Sequence, residues 1–192
     1  MRILVLLFSF VFISCKSTFK VVDRKDIVLD SVGIRAIFPT IDGVWFGGTN
    51  SKAGFVSFQN DSDTKIVKLQ KEITDFRSMS NSSNGILFLN AGTPANIYAM
   101  STFAYSCASS LMYSESGEKV FYDSMFIDAK TKFGVIVGDP TEDCLSILLT
   151  EDSGKTWNKI PCTNLPKTVD GEAAFAASDT NVKIVDGVIF II

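Results

Sequence analysis

Thr150-Glu151-Asp152-Ser153-Gly154-Lys155-Thr156-Trp157 is the stretch that decides how this chain is read. It has the chemistry of a self-tied hairpin turn. A carboxylate at 152 can accept backbone N–H bonds within its own turn, and glycine at 154 supplies a left-handed backbone position. The hydroxyls of Thr150 and Thr156 can bond back into the loop, and Trp157 can drop between strands. These five residues, Thr150, Asp152, Gly154, Thr156 and Trp157, are expected to hold the fold rather than to catalyse. A turn centred near Ser153 pairs residues whose numbers sum to about 306, such as Thr150 with Thr156 and Leu148 with Asn158. Cys144 and Cys162 fall on the same sum. Directly opposed residues of an antiparallel ladder are close enough for a bridge, so a Cys144–Cys162 disulfide is predicted, with Cys107 left as a free thiol.

Outward from this turn, the chain shows short apolar runs broken by Gly, Asn, Asp or Ser. Gly43-Val44-Trp45-Phe46, Gly85-Ile86-Leu87-Phe88-Leu89 and Gly134-Val135-Ile136-Val137 are examples, and no long helical period is present. This is an all-β pattern. The runs also repeat. Ile34-Arg35-Ala36-Ile37 is answered by Phe76-Arg77-Ser78-Met79, Tyr122-Asp123-Ser124-Met125 and Gly171-Glu172-Ala173-Ala174, at spacings of 42, 46 and 49 residues. Val182 to Val185 is expected to be the second strand of the fourth unit. Periods of this length with about four strands each are the mark of β-propeller blades. The expected fold is therefore an incomplete propeller with blades near 31–73, 74–118, 119–169 and 170–192, the last only begun. A β-sandwich of similar strand spacing is the competing fold. Turns equivalent to the one at 150–157 are expected, in decayed form, at Asn60-Asp61-Ser62-Asp63 and Ser114-Glu115-Ser116-Gly117. The apolar end, Val188 to Ile192, has no turn after it, so the chain reads as the N-terminal half of a longer gene product or as a product truncated by a frameshift.

The other end is a targeting segment. Arg2 precedes an apolar run from Ile3 to Ile13, broken only by Ser9. Eleven helical residues span about 16 Å, roughly half a bilayer core, which fits a secretory signal and not a membrane span. Residues 1–14 are the expected signal peptide and 15–29 the anchor and linker. Phe12-Ile13-Ser14-Cys15 resembles the lipobox of bacterial lipoproteins, which implies lipidation of Cys15 and a periplasmic or outer-membrane location.

Composition excludes much chemistry. The 192 residues contain no histidine. Ser-His-Asp hydrolysis, Cys-His proteolysis and His-ligated zinc are therefore ruled out. A net charge of −3 with no basic patch gives no reason to expect nucleic acid. Gly47-Gly48 lacks dinucleotide-binding spacing, and no haem or flavin attachment motif exists, so no cofactor is expected. Asp139-Pro140-Thr141-Glu142-Asp143 is an acidic turn of the kind that attracts Ca²⁺, though solvated acidic loops are commoner and no metal is assigned.

The repeat starts, Phe133 to Pro140 ending in Gly-Asp-Pro, the 150–157 turn, Ile160-Pro161, Asn164-Leu165-Pro166 and Gly171 to Ser178 together resemble the Asp-box (BNR-type) propellers. That group includes photosystem II assembly factors and many exported bacterial proteins. The resemblance covers about residues 30 to 192 and implies six or seven blades in the whole family fold. Arg35, Arg77, Asp123 and Glu172 hold corresponding positions in successive repeats, so they are expected at one mouth of the central channel as a ligand- or partner-binding ring. No catalytic residue is expected. The function implied is a non-catalytic, lipid-anchored binding or assembly module of the cell envelope, with an envelope protein or glycan as partner. The alternative is a fragment of a carbohydrate-active, sialidase-like propeller enzyme whose catalytic residues lie mostly in missing blades; within this stretch Tyr122 beside Asp123 is a tempting pair. Ile34-Arg35-Ala36-Ile37 lacks the proline of the sialidase motif, and Tyr122 takes a core slot.

Overall fold

The computed structural model describes residues 24, 26–60, 64–70, 74–83, 85–101, 109–174 and 179–192. The signal segment, Cys15 and Cys107 lie outside the described residues. The chain divides into two units, Met1–Asp30 and Ser31–Ile192. In the first, Arg24 pairs with Asp26 at 2.9 Å.

The second unit is built from four antiparallel sheets in chain order. The first contains β1 (Ile34–Pro39), β2 (Gly43–Gly48), β3 (Lys52–Ser57) and β4 (Lys65–Lys68). The second contains β5 (Phe76–Ser82), β6 (Gly85–Asn90), β7 (Ala95–Ser101) and β8 (Ser109–Glu115). The third contains β9 (Tyr122–Ile127), β10 (Gly134–Gly138), β11 (Ser146–Thr150) and β12 (Asn158–Lys159). The fourth is the pair β13 (Val182–Val185) and β14 (Val188–Ile191). Every sheet runs as a simple meander, each strand pairing with the next.

Packing explains the sequence pattern. The second strands, β6 and β10, are buried almost throughout, so they read as continuous apolar runs rather than as alternation. Each is covered on both faces by a neighbouring sheet. One core layer joins the first two sheets through Ala36, Ala53, Phe76, Met79 and Phe88. Phe76 meets Phe88 edge-on, with ring centroids 5.8 Å apart. The next layer joins sheets two and three through Leu87, Leu89, Ile97, Tyr122, Met125 and Trp157. Val135 and Val137 meet Val182 and Ile184 in the third.

The leading strands also touch in series: β5 lies against β1 and β9, and β13 against β9. Two serines lace them together. The Ser78 hydroxyl accepts the Met125 N–H at 2.7 Å, and that of Ser80 accepts the Ile127 N–H at 3.0 Å. These bonds satisfy buried donors that the β9 ladder leaves open.

Three expectations need correction. The fourth leading strand is Val182–Val185 and not Gly171–Ala174, which lie in a turn and an irregular stretch. Val182 and Ile184 occupy the core facing the third sheet, and the Pro161–Asp179 connection is too long for an even repeat. Ser114 and Glu115 are the last residues of β8, and Ser116 and Gly117 lead on to the next sheet, so this stretch is not a turn between the third and fourth strands of its sheet. The β11–β12 register is Leu148 with Lys159 and Leu149 with Asn158, one residue away from the expected pairing. The cause is local: Asp152 Oδ1 takes the Thr156 N–H at 2.9 Å, so Thr156 does not pair with Thr150.

That turn is tied by its own side chains. Asp152 accepts from the Thr150 hydroxyl at 2.8 Å, the Lys155 N–H at 2.9 Å and the Thr156 hydroxyl at 2.6 Å. The Trp157 indole donates to the Gly154 carbonyl at 3.1 Å. Gly154 has φ of 83°, and a Cβ there would sit 2.3 Å from Leu87 Cδ1. The hairpin tip is thus pressed onto the second sheet. The Thr156 hydroxyl foremost, against a smaller burial effect and aided by the other donors, holds the Asp152 carboxyl down to about 2. Asp152→Ala is expected to cost about 2 kcal/mol near neutral pH, a figure discounted because solvent reaches the group. A depressed folded pKa gives stability that is present above the unfolded value and lost as pH falls through the folded one. Urea unfolding should therefore show the gap between wild type and variant closing between about pH 4 and pH 2. A constant gap would mean that the charge is not what holds the turn.

Candidate functional site

Arg35, Arg77 and Asp123 share a structural position that is more specific than their place in the repeat. The β1–β2 ladder shifts register between Ile34 and Ala36, and the β5–β6 ladder between Phe76 and Ser78. In the β9–β10 ladder the shift leaves Asp123 between Tyr122, opposite Gly138, and Ser124, opposite Val137. Each charged residue is therefore the extra residue of a β-bulge. A bulge removes one residue from the ladder and re-aims its side chain.

Their surroundings then differ. Arg35 is exposed, with Nε 4.0 Å from Asp75 Oδ2. Arg77 is half-buried, its guanidinium carbon 5.7 Å from the centroid of the Phe121 ring. Asp123 is fully buried, and neither carboxylate oxygen has a hydrogen-bond partner. Glu172 is not on a strand; it is exposed and accepts the Val169 N–H at 2.9 Å. The structure thus brings Arg77 and Asp123 together and sets Glu172 on an adjoining wall, while Arg35 turns to Asp75.

That wall belongs to an open cleft of about 780 Å³. Its floor includes Phe121 and Asp139, whose backbones are joined by the Asp139 N–H donating to the Phe121 carbonyl at 2.9 Å. Asp139 Oδ1 also accepts the Ala174 N–H at 2.9 Å, which fastens the loop before β13 to the end of β10. Glu118, Asp139, Glu142, Asp143, Asp170 and Glu172 line the cleft, with Lys119 as the one basic lining residue. Burial foremost, then the nearby Asp139 carboxylate, pushes the Asp123 carboxyl up to about 7, and Arg77 opposes the rise. A carboxylate left without donors in a dry site prefers its neutral form.

A second acid with a raised carboxyl is half-buried against the second sheet. Asp179 Oδ1 accepts the Met79 N–H at 3.4 Å, and burial pushes its carboxyl up to about 7 against help from Ser78, Met79 and Lys183. It ties the approach to β13 onto β5.

Two other arrangements are structural. Tyr122 is fully buried and donates to Glu115 at 2.7 Å, beside a Tyr113 hydroxyl donating at 2.6 Å and Lys159 Nζ at 2.5 Å. Burial, then the hydrogen bond to Glu115, raises both tyrosines above their ordinary range. Tyr122 is a packing group joining sheets two and three and has no route to a substrate. Glu142, Asp143 and Cys162 place possible ligand atoms within 4.8 Å of one another. Cys162 is bonded to Cys144, however, and Asp143 pairs with Lys167 at 2.7 Å, so neither is available as the site stands.

Asp139, Phe121 and Asp179 carry much of this site and were not singled out from the sequence. Asp139 was visible only as part of an acidic turn. Asp179 gave no local signal, because its partner Met79 is 100 residues away. No family model, curated protein or solved structure matches this chain.

Proposed function

We propose that this chain is a non-catalytic, exported binding module built from β-propeller blades, anchored to the envelope through Cys15, and that its partner occupies the cleft beside Arg77 and Asp123. The observation that carries the reading is the set of three charged bulges at equivalent points of successive sheets. The meander order of the sheets and the serial contact of their leading strands support blades. The Cys144–Cys162 disulfide suits an oxidising compartment, which supports export. Nothing in the site supports a Tyr122-based glycosidase, since that hydroxyl is buried and committed to Glu115.

A photo-crosslinking amino acid at Thr93, on the cleft rim, should trap a discrete covalent adduct in intact cells. The same probe at Lys155, exposed on the hairpin turn, should not. Adducts from both positions, or from neither, would contradict a partner site at the cleft.

A further inference from the structure

We propose that reduction of the Cys144–Cys162 bridge uncovers a zinc site, with the two thiolates and the carboxylates of Glu142 and Asp143 as its four donors. The proposal stands apart from the partner reading above. Glu142, Asp143 and Cys144 are consecutive in the connection between β10 and β11, and Cys162 opens the short 3-10 turn after β12. Possible ligand atoms of Glu142, Asp143 and Cys162 lie within 4.8 Å of one another. The disulfide brings Cys144 to the same point, with the two Cα atoms 5.5 Å apart. Two sulfurs and two carboxylates thus converge from two segments of the third sheet's connections.

The donor set selects the metal. Structural zinc takes four ligands in a tetrahedron, and both thiolates and carboxylates are among those it accepts. Zn–S bonds of about 2.3 Å place two thiolates about 3.8 Å apart, a separation that side-chain rotation reaches from Cα atoms 5.5 Å apart. Calcium and magnesium take oxygen donors, so the sulfur pair disfavours them. In the oxidised protein the site is masked, because a disulfide sulfur carries no charge and only two exposed carboxylates remain. Two such carboxylates alone are not a zinc site; the thiolate pair makes one. Asp143 is paired with Lys167, but both side chains are exposed and the lysine takes Oδ2 alone, at 2.7 Å. An exposed pair of this kind is weak and yields to a divalent ion.

The chemistry of opening balances. A phosphine attacks one sulfur and the S–S bond breaks; water supplies the oxygen of the phosphine oxide and the two protons of the thiols. A dithiol does the same by giving up its own two hydrogens and leaving as a disulfide. Zinc then displaces the two thiol protons and is held by two thiolates and two carboxylates. The backbone around the site has ties besides the bridge. The Thr168 N–H donates to the Asp143 carbonyl at 2.8 Å, and the Ile160 N–H to the Ile147 carbonyl at 2.8 Å. These bonds keep the two segments adjacent after reduction, and the metal replaces the lost cross-link.

The test is titration of the full chain in mild detergent with Co²⁺ and then Zn²⁺, in a background of Cys15→Ser and Cys107→Ser that leaves Cys144 and Cys162 as its only cysteines. After reduction with a phosphine, Co²⁺ should give the sulfur-to-metal charge-transfer absorption and strong visible bands of a tetrahedral thiolate site. Zn²⁺ should displace it and bind the reduced protein at least about 100-fold more tightly than the oxidised protein. Glu142→Gln with Asp143→Asn keeps both thiols and should weaken zinc by about tenfold or more. A distal double variant, Glu151→Gln with Asp186→Asn, removes two exposed charges and should change affinity by less than about twofold. As a second readout, Zn²⁺ should raise the melting temperature of the reduced protein and leave that of the oxidised protein unchanged. The proposal is overturned if the reduced protein gives no thiolate–cobalt spectrum, if the oxidised protein binds zinc as tightly, or if the Glu142→Gln/Asp143→Asn variant binds zinc like its parent.

Discussion

Asp123→Asn is expected to gain about 3 kcal/mol of stability relative to wild type between about pH 5 and pH 8, roughly 10 °C in melting temperature for a domain of this size. The folded Asp123 carboxyl titrates at about 7 against an ordinary 3.8, and burial is the main cause. A raised folded pKa means that the native state holds its proton more tightly than the unfolded chain. The associated stability is complete below the unfolded value and is lost as pH rises through the folded one. Wild type should therefore weaken from mildly acidic to mildly basic pH, the reverse of ordinary acid denaturation. Asp179, also at about 7, contributes the same sign, so the variant should lose part of the slope and not all of it. At low pH the amide replaces a neutral acid of the same shape, and the two proteins should melt alike. Thermal melts of both across this range check the claim. Parallel curves would show that Asp123 is not a buried, unpartnered charge.

Reducing the Cys144–Cys162 bridge should cost about 3 kcal/mol, roughly 10 °C, through the freedom returned to the unfolded chain. The bridge spans a sequence separation of 18 with Cα atoms 5.5 Å apart. It lies beyond the β11–β12 ladder, joining the loop before β11 to a short 3-10 turn at Cys162–Asn164. The same loop carries Asp143, whose carbonyl accepts the Thr168 N–H at 2.8 Å. The bridge therefore steadies the outer wall of the cleft as well as the hairpin. Melts of wild type with and without reductant, and of the Cys144→Ser/Cys162→Ser double variant, should show both losses agreeing. Coincident melts for oxidised and reduced protein would mean that the bridge does not constrain the fold.

The sequence was most legible where local chemistry and packing point the same way. β6 and β10 stand out as apolar runs after a glycine because sheets cover both of their faces. The opening residues of β1, β5 and β9 stand out because each puts a charged residue just inside an apolar start. That feature is the sequence trace of a bulge, although only the ladder shows the bulge itself. Legibility ended where a distant contact decides. The long connection after β12 moved the fourth leading strand from Gly171 to Val182 and left Glu172 on a cleft wall. The bonds from Ser78 and Ser80 to β9 span 47 residues and have no local signature. The hairpin register departs by one residue from simple pairing because a side chain, Asp152, takes an N–H that such pairing assigns to the backbone.

The account depends most on Asp123 being a buried carboxylate without donors, placed by a bulge behind an acidic cleft. The most direct measurement is the carboxyl carbon-13 shift of Asp123 followed by NMR through a pH titration of the folded protein, assigned with Asp123→Asn. The account predicts a midpoint of about 7, rising further in Arg77→Gln as the opposing guanidinium is lost. A midpoint near the ordinary 3.8, unmoved by Arg77→Gln, would contradict it.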